Sequence, residues 1–143
     1  MFGPNSSAAI ADLRDYTALR PADASGWINL GQAHEGLGET FSAIDAYETA
    51  LTADPTATHL YSTLAKLSYE ALAAFNPDSL EFEQYLDQTV EHATTALDEY
   101  PSDTTALLYR ALAYIAQNKQ EHALEDLSAA LVIDPAFLPA SIT

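Results

Sequence analysis

Trp27–Pro55 reads WINLGQAHEGLGETFSAIDAYETALTADP. Trp27, Leu30, Gly31 and His34 recur at steps of three and four, which places them on one face of a helix over Ala24–Gly36. Gly38 stands where that helix must stop, because glycine tolerates the left-handed backbone of a helix end. Ala43, Tyr47, Ala50 and Leu51 then make one face of a second helix, Phe41–Ala53. Asp54 sits where that helix unravels, and Pro55 cannot continue it. The small residues Gly31, Ala43 and Ala50 allow two helices to approach closely.

The unit recurs. Its closing frame, Ala-Leu with a Pro five residues after the Ala, occurs as ETALTADP (48–55), TTALDEYP (94–101) and SAALVIDP (128–135). Pro21 to Pro55 spans 34 residues, Pro55 to Pro101 spans 46, and Pro101 to Pro135 spans 34 again. At an offset of 80, Trp27 matches Leu107, Gly31 Ala111, Gly38 Asn118, Ala43 Ala123, Tyr47 Leu127 and Ala50 Ala130. Each pair keeps a size class or a backbone role.

These residues resemble the tetratricopeptide repeat (TPR) family, whose signature runs Trp, Leu-Gly, Tyr, then Ala, aromatic, Ala and Pro. Trp27, Leu30, Gly31, Gly38, Ala43, Tyr47, Ala50 and Pro55 match. His34 stands where the family prefers Tyr, and Phe41 shifts the usual aromatic by one. The resemblance implies an all-α, TPR-type right-handed superhelix (α-solenoid) of about seven helices. The expected organisation is a single domain, 1–143, with a half repeat at 6–21, a repeat at 24–57, an extended repeat at 58–103 and a repeat at 104–137. The remaining helices are expected at Ser6–Leu19, Thr58–Phe75, Pro77–Glu99, Thr104–Gln117 and Gln120–Ile133, with Asn76-Pro77 opening the fifth.

The middle repeat is 12 residues longer than its neighbours. Shared evenly, six added residues per helix would add about 9 Å of protruding hairpin. Its tip would hold Leu72, Phe75, Leu80, Phe82, Tyr85 and Leu86.

Composition narrows the function classes. The 143 residues carry 21 acidic and 5 basic side chains, a formal net charge of −16, with 48% hydrophobic content. Such a chain can build a core and repels phosphate backbones, so nucleic acid is not an expected partner. Long-range steering favours basic partners; a solubilising role for the acid is the plainer reading. There is no cysteine, hence no thiolate chemistry. No apolar run is long enough for a membrane span, and MFGPNSSAAI has neither a positive n-region nor an apolar h-region. A cytoplasmic location is expected.

No catalytic constellation, phosphate loop or zinc spacing is visible, and His34, His59, His92 and His122 form no ligand pattern. No enzyme activity, cofactor or metal is expected. Arg110 occupies the slot of Leu30, and Asp126 that of Ala46, so a paired swap to an ion pair within the last repeat is expected.

In the TPR family the first helices of successive repeats line a concave groove that holds peptides or helices. The resemblance maps that face onto Ile28, Asn29, Gln32, Glu35, Thr63, Lys66, Thr105, Leu108, Tyr109, Leu112 and Ile115. Some members hold the C-terminal carboxylate of heat-shock chaperones with a Lys, Asn and Arg clamp. Those positions are Ile28, Gln32, Thr63, Thr105 and Tyr109 here, with no positive charge among them. The expected function is a non-enzymatic scaffold that takes a peptide or helix of a partner protein, with a basic or an apolar segment. Its candidate contacts are Ile28, Asn29, Gln32, Thr63, Lys66, Leu108, Tyr109, Leu112 and Ile115. The apolar end of this face could instead be covered by the chain's own Phe137 and Leu138. Two other readings stand beside it. One is a homo-oligomer formed through repeat ends or the extended hairpin, using Phe75, Phe82, Tyr85, Leu124, Leu131 and Phe137. The other is a regulatory piece of a larger enzyme.

Overall fold

Short polar side chains begin several of the helices, and two left-handed residues end two of them. The computed structural model describes residues 7–136. Among these residues are seven α-helices, one 3-10 turn and no strand. The helices are α1 (Ser7–Leu19), α2 (Ala24–Gly36), α3 (Thr40–Ala53), α4 (Leu60–Ala71), α5 (Leu80–Glu99), α6 (Thr104–Ala116) and α7 (Gln120–Ile133); the 3-10 turn is Leu72–Ala74. The expected Ser6 start, and Phe137 and Leu138, lie outside the described residues. The chain divides into two compact units, Met1–Leu60 and Tyr61–Thr143, taken in turn.

In the first unit Asp23 caps α2, its carboxylate accepting the Ser25 N–H at 3.0 Å. Gly38 ends α2 at φ +76°. The Glu39 N–H then reaches back to His34 O at 2.9 Å and the Gly38 N–H to Glu35 O at 3.0 Å, closing a Schellman motif. Helix α2 packs on α3 through Gly31. A Cβ there would lie 2.8–2.9 Å from the Tyr47 ring, which fills the room a side chain would need. Helix α1 comes close in the same way, with the Tyr16 ring over Gly26. Ile10, Leu30, Ala33 and Ala46 form the core, and Leu13 and Trp27 pack half-buried against it. The Trp27 indole N–H donates to Pro21 O at 3.0 Å, tying the helix to the preceding turn. His34 is buried and its Nδ1 meets Glu39 Oε1 at 3.0 Å.

In the second unit Asp103 caps α6, accepting the Ala106 N–H at 3.1 Å. Asn118 repeats the role of Gly38 at φ +61°, with the Lys119 N–H on Tyr114 O at 2.8 Å. Ala65, Ala93, Ala96 and Ala106 pack α4, α5 and α6 together, flanked by Tyr61 and Leu97. The expected ion pair is present. Arg110 on α6 meets Asp126 on α7, and its Nη1 also donates to Thr94 Oγ1 on α5 at 3.2 Å.

The extended repeat differs from expectation. Its added length is not shared evenly. Helix α4 ends at Ala71 and closes with one 3-10 turn, whereas α5 has 20 residues against 14 in α3 and α7. Pro77 is the cause. It restricts the residue before it to extended backbone and has no N–H to give. The chain has left the helix by Phe75, extended at φ −124° and ψ 153° two residues before Pro77, and across the proline Asn76 Oδ1 accepts the Asp78 N–H at 2.9 Å. The fifth helix therefore opens not at Asn76-Pro77 but at Ser79, whose Oγ accepts the Phe82 N–H at 3.2 Å. Nor does the tip stand free. Leu72 and Leu86 are buried with Ala113 of α6, and Tyr69, Phe82, Tyr85 and Val90 pack around them.

Candidate functional site

The 3-10 turn, the break at Pro77 and the early start of α5 bring the tip of the extended repeat beside α6. Between them lies an open groove of about 720 Å³, lined by Tyr69, Glu70, Leu72, Ala73, Phe75, Pro77, Phe82, Tyr109, Leu112 and Ala116. Apart from Glu70 and the two tyrosine hydroxyls this lining is apolar or aromatic, so the groove suits side chains that gain by leaving water. Tyr69 and Tyr109 meet at a centroid distance of 5.7 Å, tilted by 57°. Phe75 stacks on Tyr85 at 5.4 Å and 17°. These paired rings hold the walls in place. Burial, with the nearby Glu70 carboxylate, raises the Tyr109 phenol pKa, while Lys66 pulls it back. The hydroxyl is a neutral donor near neutral pH.

The residues named from the sequence divide among several places. Ile28, Asn29 and Gln32 lie on α2 in the first unit, Ile28 half-buried and the other two exposed. In the second unit Thr63 and Lys66 are half-buried on α4, and Leu108, Tyr109, Leu112 and Ile115 lie on α6. Of these only Tyr109 and Leu112 line the groove. Phe75 and Phe82, assigned from the sequence to self-association, form its opposite wall, with Tyr85 stacked behind Phe75. Leu124 and Leu131 are exposed on α7. Phe137 lies outside the described residues.

Sequence reasoning missed Tyr69, Glu70, Ala73, Pro77 and Ala116 as groove residues. Tyr69 carried a signal, since it follows Thr63 and Lys66 at three-residue steps on one helix face. The others did not, because their place depends on where the chain breaks at Pro77. Among the described residues no group of three or more His, Asp or Glu side chains is arranged to hold a metal. No helix there is long and apolar enough to cross a membrane.

The sequence profile of the tetratricopeptide repeat matches residues 5–58 and 86–136. A stretch of 67 residues is 42% identical to the Hsp70-Hsp90 organizing protein of Triticum aestivum, a match covering 47% of this chain and 12% of that one. The fold is similar to that of the crystal structure of MamA, at a TM-score of 0.74 and 23% identity, over 92% of this chain and 69% of that one. It is similar also to TTC0263, a thermophilic TPR protein in Thermus thermophilus, at a TM-score of 0.69 and 20% identity, over 90% and 66%. At these identities the two structures speak for the all-α helical-repeat fold alone.

Proposed function

The chain belongs to the tetratricopeptide repeat family, whose members are interaction scaffolds and not enzymes, and from that premise we propose that it docks an apolar peptide or helix of a partner protein in the groove beside Phe82 and Tyr109. One observation carries this reading. The groove has about 720 Å³ of room, an apolar floor, and a few polar groups at its edge to set orientation. Leu112 and Phe82 would take the apolar anchors, and the Tyr109 hydroxyl and Glu70 would meet backbone or polar groups of the guest. Chaperone tails are not part of the proposal, because Ile28, Gln32, Thr63, Thr105 and Tyr109 offer no cation for a carboxylate.

The test selects random peptides of roughly 15 residues, about four helical turns, against the whole chain. Peptides that bind the native protein should lose that binding when Leu112→Glu puts a charge in the groove. Peptides indifferent to Leu112→Glu, in a variant of unchanged helicity, would place the docking surface elsewhere.

Self-assembly is kept as a second reading because of α7. Leu124 is 63% exposed and Val132 84%, with Leu131 and Ile133 also open. Such an apolar row is a self-association surface if a second copy covers it. A monomeric mass in sedimentation at high protein concentration removes this reading.

A further inference from the structure

Phe82 separates the apolar groove from a second cleft. This cleft, of about 710 Å³, lies between the first turns of α5 and the turn joining α6 to α7. It shares Pro77, Phe82 and Ala116 with the groove, so the two are continuous across the Phe82 ring. Their chemistry differs. The cleft has an apolar floor of Pro77, Phe82 and Leu86, and the carboxylates of Asp78, Glu83 and Asp87 along its rim. All three acidic residues are exposed. The one cation of the lining is Lys119, and its Nζ lies over the Tyr114 ring, 5.9 Å from the centroid.

Helix electrostatics explain part of this. Glu83 sits in the first turn of α5, where the N-terminal dipole favours negative charge. Asp87 lies one turn further on, beyond that effect. It is held instead by the Gln117 amide, whose Nε2 donates to Asp87 Oδ1 at 3.0 Å. The same amide leaves its Oε1 buried, accepting no hydrogen bond among the described residues. Gln117 lines the cleft. The exposed Asp87 carboxylate, fixed in place by this amide, is the acceptor that a guest guanidinium or ammonium group can reach.

We propose that the docked segment is amphipathic in series: its apolar residues fill the groove, and Lys or Arg residues follow them across Phe82 into the acidic cleft. The argument is one of charge complementarity on a continuous surface, and the net charge of −16 would steer a basic segment towards it. The inference rests on the groove being the docking site, and adds the chemistry of the guest.

Peptides selected against the whole chain, as above, provide the probe. They are then measured by fluorescence anisotropy at low and high salt against the native protein, against Leu112→Glu, and against the triple variant Asp78→Asn/Glu83→Gln/Asp87→Asn. If Leu112→Glu does not fold, Tyr109→Ala replaces it. The expected peptides carry Lys or Arg immediately beside an apolar cluster. They bind the triple variant about tenfold more weakly, with a flatter salt dependence, because rim charges act through long-range attraction. They fail on Leu112→Glu. Apolar peptides without basic residues, or equal affinity for the triple variant, overturn the inference and leave the groove reading standing. Peptides indifferent to Leu112→Glu, or no selected peptides at all, overturn both. A dimer that Phe82→Ala dissociates shows a second copy on this surface and also overturns the inference.

Discussion

Arg110 and Asp126 form a two-pronged ion pair, with Nε on Oδ2 at 2.8 Å and Nη2 on Oδ1 at 2.6 Å. The planar fork fits the carboxylate, and Asp126 is only 5% exposed. The equivalent positions in the first unit are Leu30 and Ala46, both buried in its apolar core. Arg110→Leu alone strands a buried carboxylate and should cost about 3–5 kcal/mol. Arg110→Leu with Asp126→Ala should recover much of that, since the first unit already uses the apolar pair. Urea unfolding of the two single variants and the double variant measures the coupling. Losses that simply add would show that the pair does not act as a unit.

The second prediction concerns Gly31. Its missing Cβ is replaced by the Tyr47 ring, which is 2% exposed and anchored by its hydroxyl donating to Glu35 Oε1 at 2.9 Å. The ring has nowhere to go. Gly31→Ala should therefore destabilise by about 1–3 kcal/mol through overpacking, although alanine favours the helix by up to about 1 kcal/mol. A variant that melts higher than the native protein would show that the α2–α3 contact can widen freely.

Ser79 is the third. Its Oγ accepts the Phe82 N–H and donates to Asn76 O at 2.6 Å, so it links the break at Pro77 to the start of α5. Ser79→Ala should cost about 1 kcal/mol. It should also weaken any peptide that uses Phe82, because the first turn carrying that ring frays. Amide exchange at Phe82 and Glu83, whose N–H groups bond Ser79 Oγ and O, reports the fraying directly. Unchanged protection there would contradict the capping role.

His92 gives a pH dependence. Burial lowers its pKa from the ordinary value of 6.5, against a weaker opposing pull from Glu91. Its ring faces Tyr61 at 6.0 Å. The unfolded chain thus takes up this proton before the folded one as pH falls. The stability linked to neutral His92 is present above pH 6.5 and is lost as pH drops from there through the lowered folded value. Thermal unfolding in closely spaced buffers should show a decline below that point that His92→Phe flattens. An identical decline in His92→Phe would assign it to other groups.

What the sequence by itself determined is what short-range chemistry decides. Period and breakers marked the seven helices of the described residues, because a face at three and four and a closing Pro or left-handed residue leave few alternatives. Gly38 and Asn118 were legible as left-handed helix ends from residue type alone. The Arg110–Asp126 pair was legible because two copies of one packing slot could be compared. The tertiary structure decided the rest. Whether the added length of the middle repeat went to α4 or α5 depended on how Asn76 and Ser79 made their hydrogen bonds around Pro77. That choice then set which residues faced α6. Phe82 and Tyr109, separate candidates in the sequence, became opposite walls of one groove. Val132 passed unnoticed as an ordinary apolar helix residue, yet it is 84% exposed. Periodicity names a face of a helix, but only the packed neighbours decide whether that face meets protein, a guest or water.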